Sequence, residues 1–253
     1  MKILLEQGAI IFVISNSGST ALHFAVQSGE VRLVEMLIKK GLNINAKTNY
    51  GNTPLISASY SKQKSVVDFL LQNGGDTDST TDFGYTAFHI AAFHGQLDLV
   101  EIFVKNGLNV NVSNSNGETP LYVACHEGFK DIAEYLIDNG ADIWVKSKIG
   151  DSGCLHAASK RGHVEVIRLL LQKGFDINSK EGYFGETPFL KACRFGQPKA
   201  IKMLLQNGAN IRDVDRFSNN ALHIIAANNS KMFAPSLVET INILLGNGAL
   251  MLQ

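Results

Sequence analysis

Apolar residues recur at helical spacing in pairs of short stretches, and each pair returns after about 33 residues. In the first complete copy, Leu22, Ala25 and Val26 are three and four positions apart, which places them on one face of a helix. A second stretch, LVEMLI at 33–38, has the same spacing. The pattern therefore predicts two consecutive amphipathic helices in each copy.

The recurrence extends over nearly the whole sequence. The phrase STALHFAVQSG at Ser19 is followed by related phrases that start at Asn52, Tyr85, Glu118, Ser152, Glu186 and Asn219. A leucine-rich stretch that ends in glycine closes each copy, at Gly8, Gly41, Gly74, Gly107, Gly140, Gly174, Gly208 and Gly248. Because neither helix can bury its apolar face within one copy, neighbouring copies must stack. The period predicts an elongated all-α repeat solenoid rather than a globule.

Residue types at the ends of the stretches fit helix termini. Thr-Pro pairs at 53–54, 119–120 and 187–188 suit the start of a first helix, with threonine as the cap and proline in the first turn. The recurrent glycine suits a left-handed residue that ends the second helix. A small residue also recurs on the packed face of the first helix, as Ala25, Ala58, Ala91, Ala124, Ala158 and Ala192. A small side chain there allows two helices to approach closely.

The period and these phrases resemble the ankyrin repeat, whose signature is T-P-L-H-x-A-A followed by G-A-D-x-N. The resemblance implies repeats of two antiparallel helices plus a β-hairpin or loop finger, in a curved, elongated stack. It also implies a single ankyrin-repeat domain at 1–253. The partial repeat is 1–17, and the repeats are 18–50, 51–83, 84–116, 117–150, 151–184, 185–217 and 218–253.

The sequence departs from the repeat pattern at several places. It opens on MKILLEQG, the end of a second helix, and closes just past another. Either the sequence is a piece of a longer protein, or its ends pack on themselves, with the apolar run 10–14 covering the open edge. About seven extra residues around 230–235 form either a tolerated loop or a binding feature. Gly153 and Cys154 replace Thr-Pro in one repeat, so we expect Cys154 to be more exposed than the other cysteines.

Composition narrows the class of protein. Equal numbers of basic and acidic residues, 23 each, argue against a nucleic-acid binder, which usually has a basic excess. Since no apolar run approaches about 18 residues, we expect no membrane insertion. Three cysteines without a close pair favour reduced thiols. We expect a monomer in the cytoplasm.

Residues that could carry chemistry are interpreted as structural. One position of the repeat is histidine in four copies, at His23, His89, His156 and His223. Helix layers about 10 Å apart cannot share a metal ion whose ligands lie about 2 Å away. The resemblance assigns these histidines a hydrogen bond to the turn backbone. Cys125 and Cys193 replace Ala or Ser on a packed face and behave as small apolar residues. Since no phosphate-binding, dinucleotide-binding or hydrolase motif occurs, we expect no active site, metal or cofactor.

The resemblance places partner contacts at the finger tips and on the exposed side of the first helix. The tip candidates are Tyr50, Phe83, Tyr85, Ile149, Tyr183, Phe184 and Phe217. A loop turn does not need aromatic residues, whereas interfaces favour them as anchors. The alternative is that neighbouring fingers pack their aromatic residues against each other.

The first-helix candidates change from aromatic to basic along the chain. They are Tyr60, Phe93, His94, His126, Lys160, Arg161, Arg194 and Phe195. With Lys191 they predict either a site for an acidic or phosphorylated segment or a solvated face. The resemblance implies a scaffold that binds a partner protein, as a segment of a larger protein. The alternatives are a structural spacer, or a regulatory or targeting module of an enzyme, channel, toxin or secreted effector.

Overall fold

A computed structural model describes residues 11–150, 152–228 and 234–247. In these ranges the chain forms fourteen helices in seven pairs. The first helices are α1 (Ala21–Ser28), α3 (Pro54–Tyr60), α5 (Ala87–Phe93), α7 (Pro120–Glu127), α9 (Cys154–Arg161), α11 (Pro188–Arg194) and α13 (Ala221–Asn228). The second helices are α2 (Val31–Lys39), α4 (Lys64–Gln72), α6 (Leu97–Lys105), α8 (Lys130–Asp138), α10 (Val164–Gln172), α12 (Pro198–Gln206) and α14 (Ala234–Gly246). Two or three residues join the helices of each of the first six pairs, so the second helix runs back along the first.

Each predicted repeat from 18–50 to 218–253 therefore contains one helix pair, which confirms the all-α repeat architecture. The division of the chain into these repeats within one domain stays a prediction. Most of the extra segment around 230–235 lies outside the described residues, which omit 229–233.

The chain divides into two compact units, one up to Ser115 and the other from Asn116. In the first unit, α1, α3 and α5 pack side by side in one row, and α2, α4 and α6 form a second row. In the second unit, α7, α9, α11 and α13 form the row of first helices, and α8, α10, α12 and α14 form the other. Each pair thus buries its apolar faces against the neighbouring pairs of its unit.

Alanine lets the first helices pack closely within each row. Ala25, Ala58 and Ala91 are buried in the first unit, and Ala124, Ala158 and Ala192 are buried in the second. Larger side chains fill the space between the two rows. Phe88 of α5 and Phe103 of α6 are both fully buried, with ring centroids 5.4 Å apart.

The helices begin as the Thr-Pro pairs predict. The Thr119 hydroxyl accepts a hydrogen bond from the Tyr122 N–H at 3.2 Å, and Pro120 occupies the first helical position, where no N–H is needed. The second helices end at left-handed glycines, also as predicted. Gly41 has φ +96°, and its N–H donates to the Ile38 carbonyl at 2.9 Å.

The fingers consist of turns, and the described residues contain no strand longer than a single bridge. Two isolated antiparallel bridges occur, Ser147–Ser152 and Glu181–Glu186. The β-hairpin form of the finger is therefore not confirmed. Each finger is closed instead by individual backbone bonds, such as the one from the Thr81 N–H to the Tyr85 carbonyl at 2.9 Å.

The apolar run 10–14 begins outside the described residues at Ile10, and Phe12, Val13 and Ile14 are each more than half exposed. The expectation about the exposure of Cys154 is wrong. Cys154 is 1% exposed, because the first residue of α9 faces α7 rather than solvent. Its thiol contacts that of Cys125, whose pKa is raised mainly by burial and then by this hydrogen bond.

The recurrent histidine holds the backbone of the finger, as expected. In the first unit the Thr20 N–H donates to His23 Nδ1 at 3.1 Å, so the proton of the neutral ring sits on Nε2. His23 Nε2 lies 3.0 Å from the Asn52 carbonyl oxygen, to which it donates. Burial, the largest influence, lowers the pKa of His23.

His156 makes a different set of contacts because Gly153 has replaced the threonine. Glu181 of the following finger takes its place: its Oε2 atom lies 2.6 Å from the Gly153 N–H nitrogen and 2.9 Å from His156 Nδ1. His156 Nε2 lies 3.0 and 2.9 Å from the carbonyl oxygens of Ser179 and Glu186. Both ring nitrogens of His156 therefore face acceptor oxygens.

The Glu181 carboxylate is held in its charged form. Burial opposes its ionisation, but the hydrogen bond and charge of His156, the Gly153 N–H and Lys146 lower its pKa from 4.5 to about 2. Glu181 thus links α9 to the finger that follows α10, whereas His23 and His89 use the threonine that precedes their own helix.

Enlarging the buried alanine of α9 tests the close packing of the first helices. We expect Ala158→Leu to lower the free energy of unfolding by about 2–3 kcal/mol, because the added atoms have no space between neighbouring helices. Urea unfolding followed by circular dichroism measures the change. Ala226→Leu is the matched control, since Ala226 is an exposed residue of the first helix α13. Equal effects of the two substitutions would contradict the packing argument.

Removing the charge of Glu181 tests the ion pair with His156. Because the folded-state pKa of Glu181 is depressed, its stabilising contribution is present above about pH 4.5 and is lost as the pH falls towards 2. We expect Glu181→Gln to lower the free energy of unfolding at pH 7 by about 1–3 kcal/mol. The variant's stability should also fall less steeply than wild type between pH 5 and pH 2.5.

Glu165→Gln is the control for this experiment, because that glutamate is exposed on α10 and pairs only with Arg168 at the surface. A wild-type and a Glu181→Gln curve that stay parallel over the acid range would show that the carboxylate contributes nothing through its charge.

Candidate interaction surfaces

Neighbouring finger tips are joined by a backbone hydrogen bond at a constant repeat position. In the first unit the Asp82 N–H donates to the Tyr50 carbonyl at 3.1 Å. In the second unit the Arg216 N–H donates to the Phe184 carbonyl at 2.7 Å. These bonds fix the distance between the finger tips that they join, which are those of Tyr50 and Phe83 and those of Phe184 and Phe217.

The tip side chains are apolar and exposed. The exposed fractions are 63% for Tyr50, 79% for Phe83, 64% for Ile149, 67% for Tyr183, 38% for Phe184 and 54% for Phe217. Tyr85 differs from the others: it is half-buried, and its ring lies 6.0 Å from that of His89. Tyr85 therefore belongs to the base of its finger and not to the row of tips.

Three of the tip rings in the second unit contact one another. The ring centroid of Tyr183 lies 5.3 Å from that of Phe184 and 6.3 Å from that of Phe217, and Phe184 and Phe217 are 6.1 Å apart. Packing between neighbouring fingers, one of the two alternatives from the sequence, therefore occurs here, while each ring keeps an exposed face. In the described part of the first unit, Tyr50 and Phe83 make no ring contact.

The first-helix candidates of the first unit form an aromatic group around His94. The His94 ring packs edge-on against Tyr60 at 5.6 Å and Phe93 at 5.2 Å. Burial, followed by the charge of Lys62, lowers the pKa of His94, and burial raises that of the Tyr60 hydroxyl. At neutral pH the rings of this group are therefore uncharged and largely apolar.

His126 and Arg161 form a polar group at the ends of α7 and α9. Arg161 Nε donates to His126 Nε2 at 3.3 Å, so His126 carries its proton on Nδ1. That Nδ1 lies 2.7 Å from the Glu127 carboxylate, and Arg161 Nη2 is 4.0 Å from the same carboxylate. The charge of Arg161 is partly balanced by Glu127.

Lys160 and Phe195 contact each other on α9 and at the end of α11. The Lys160 ammonium lies 5.1 Å from the centroid of the Phe195 ring, a cation–π arrangement. Burial, then the charges of Lys191 and Arg161, lower the pKa of Lys160. Lys160 forms no ion pair with the described carboxylates.

The cations of α11 are held by buried carboxylates. Arg194 pairs with Glu186 through its Nε atom and lies 3.8 Å from Asp215 through Nη2. Lys191 Nζ lies 3.1 Å from the other oxygen of Glu186. Both carboxylate side chains are fully buried, so they need these cations as partners. The run of basic residues expected from the sequence is therefore not one free positive surface.

Trp144 is an exposed aromatic residue that sequence reasoning missed. It is 66% exposed and packs on Phe175 at 5.5 Å between ring centroids. Its position in the repeat could have revealed it, since the corresponding residues of other repeats are polar, such as Asn45 and Asn178. Trp144 borders a cleft of about 210 Å³ whose polar lining includes His156, and the polar groups of that cleft mainly bind one another.

Among the described residues, no group of three or more His, Cys, Asp or Glu side chains is placed to hold a metal ion. The helices that the structure describes include none with the length and apolar character needed to cross a membrane.

Comparison with known families agrees with the repeated helix pairs. The family model described as ankyrin repeats in three copies matches residues 1–81 and 62–147, and a second ankyrin model, for many copies, matches residues 155–205. No curated protein matches the chain. The matched segments cover well over half of the sequence, and the chain belongs to the ankyrin repeat family.

Proposed function

We propose that this chain is a scaffold that binds a partner protein through its finger tips and the exposed side of its first helices. Ankyrin repeats are generally protein–protein interaction modules. The observation that carries the proposal is the set of exposed apolar side chains at the finger tips of each unit, Tyr50 and Phe83 in the first unit and Ile149, Tyr183, Phe184 and Phe217 in the second. Repeat stacking does not require them, since the buried alanines and leucines already supply the core.

The backbone of the tips favours binding. Because hydrogen bonds join adjacent tips, few degrees of freedom are lost when a partner covers them. Exposed aromatic residues on such a rigid support provide large contact areas at low entropic cost. The aromatic group of Tyr60, Phe93 and His94 extends the apolar surface in the first unit.

The first-helix face of the second unit is more polar. An acidic or phosphorylated segment on this face would pair with Lys160 and Arg161, since Arg194 is held by Glu186 and Asp215. Phe195 and His126 would supply the neighbouring apolar and polar contacts.

We further infer that the scaffold is a cytoplasmic monomer that acts by binding and not by catalysis, as a segment of a larger protein. Its three cysteine side chains are free and buried, which fits a reducing compartment.

Affinity capture with quantitative mass spectrometry tests the role of the tips. We expect Phe83→Ser combined with Phe217→Ser to reduce recovery of the specific partner at least about tenfold, because exposed aromatic anchors carry a large share of binding energy. The bait is the full chain, and thermal unfolding of each variant checks that it is folded.

Val238→Ser is the matched control, since Val238 is 58% exposed but lies on the second helix α14, outside the proposed binding surface. Unchanged recovery with the tip variants would favour the structural spacer, and equal losses with tip and control variants would show that the tips have no special role.

A further inference from the structure

Two cations stand next to the tips of the second unit. Lys148 immediately precedes Ile149, and Arg216 immediately precedes Phe217. Both cations are exposed, and neither forms an ion pair with the described carboxylates. They differ in this respect from Lys191 and Arg194, whose charges are held by buried Glu186.

The side chains of these two cations lie along the preceding finger. A Cβ atom at Gly117 would stand 3.1 Å from Lys148 Cγ, so the lysine stem crosses that glycine. The Arg216 guanidinium lies 5.7 Å from the centroid of the Tyr183 ring. The Arg216 charge is therefore held beside the ring cluster, and the Lys148 stem is held against the finger that precedes Ile149.

Three carboxylates near these fingers are engaged in other contacts. Glu181 binds the N–H of Gly153 and the His156 ring, and Asp215 accepts hydrogen bonds from the N–H groups of Phe217 and Asn219. With Glu186 buried as well, these three carboxylates do not offset the charge of Lys148 and Arg216.

In the first unit, the residue that precedes each tip is not a cation. Asn49 precedes Tyr50 and Asp82 precedes Phe83, so those tips are flanked by neutral or acidic side chains. The combination of exposed cations and a contacting ring cluster thus belongs to the second unit, among the described fingers.

We propose that the tip row of the second unit binds an extended acidic peptide segment of a partner protein. The row consists of Lys148, Ile149, Tyr183, Phe184, Arg216 and Phe217. Apolar side chains of the segment cover the rings, and its carboxylates pair with the two cations. This inference rests on the proposed function and specifies the chemistry of the partner.

The spacing of the row fits an extended chain. Neighbouring tips are about one helix layer apart, about 10 Å, and an extended peptide covers this distance in about three residues. A segment with an apolar residue at every third position and acidic residues between them would match both features. Anionic membranes are bound by clusters of about four to eight cations, more than the two exposed here.

The experiment measures fluorescence anisotropy of a labelled peptide with phenylalanine at every third position and glutamate elsewhere, titrated with the full chain. We expect saturable binding. Lys148→Glu combined with Arg216→Glu should raise Kd at least about tenfold, because attraction becomes repulsion at two points. Tyr183→Ser combined with Phe217→Ser should cause a similar loss that does not depend on salt.

Lys199→Glu combined with Lys202→Glu is the matched control. It changes the net charge by the same amount at exposed positions of α12. We expect its Kd to stay within about twofold of wild type. Circular dichroism checks that all variants are folded.

Four outcomes would overturn the inference: no binding of the peptide, equal binding of a peptide with glutamine in place of glutamate, equal losses in the tip and control variants, or tighter binding to phosphatidylserine vesicles than to the peptide. If the peptide does not bind while partner capture still depends on the tips, the acidic segment is excluded and the scaffold function stands.

Discussion

Close approach of the first helices is the constraint on which the other features depend. Within each unit these helices are separated by buried alanines, and this short distance also brings neighbouring fingers together. Fingers so close can share backbone hydrogen bonds, such as that from Arg216 to Phe184. A bulky residue at the alanine position would move the fingers apart as well as strain the core. The order of the tip row is therefore a consequence of helix packing.

Buried carboxylates decide which cations of the second unit reach solvent unpaired. Glu186 holds Lys191 and Arg194, and Glu181 holds His156 together with Lys146. A buried carboxylate without such partners would be strongly destabilising, so these cations contribute to the stability of the fold. The positive charge at the tips of the second unit therefore comes from Lys148 and Arg216, which form no ion pair with a described carboxylate.

The sequence was sufficient to predict the features that depend on one repeat alone. The helix pairs, the threonine caps and the left-handed glycines follow from local periodicity and backbone preference, and they occur in the described residues, which exclude Gly8 and Gly248. Cys154 was placed wrongly because its burial depends on α7, which lies a full repeat earlier in the chain. The basic run failed because the partners of Arg194, Glu186 before α11 and Asp215 after α12, lie outside the helix whose periodicity was considered.

The replacement of threonine by Gly153 shows that a contact between residues distant in the chain can be recognised from a departure in the repeat sequence. A histidine in this position needs a partner for Nδ1, and the threonine of the same repeat normally supplies it, as Thr20 does for His23. Where the threonine is missing, another residue must supply the partner, and Glu181 of the finger after α10 lies next to that histidine. A departure from the repeat signature at a hydrogen-bonding position thus predicts a compensating contact from elsewhere in the fold, although the helical periodicity cannot show which residue makes it.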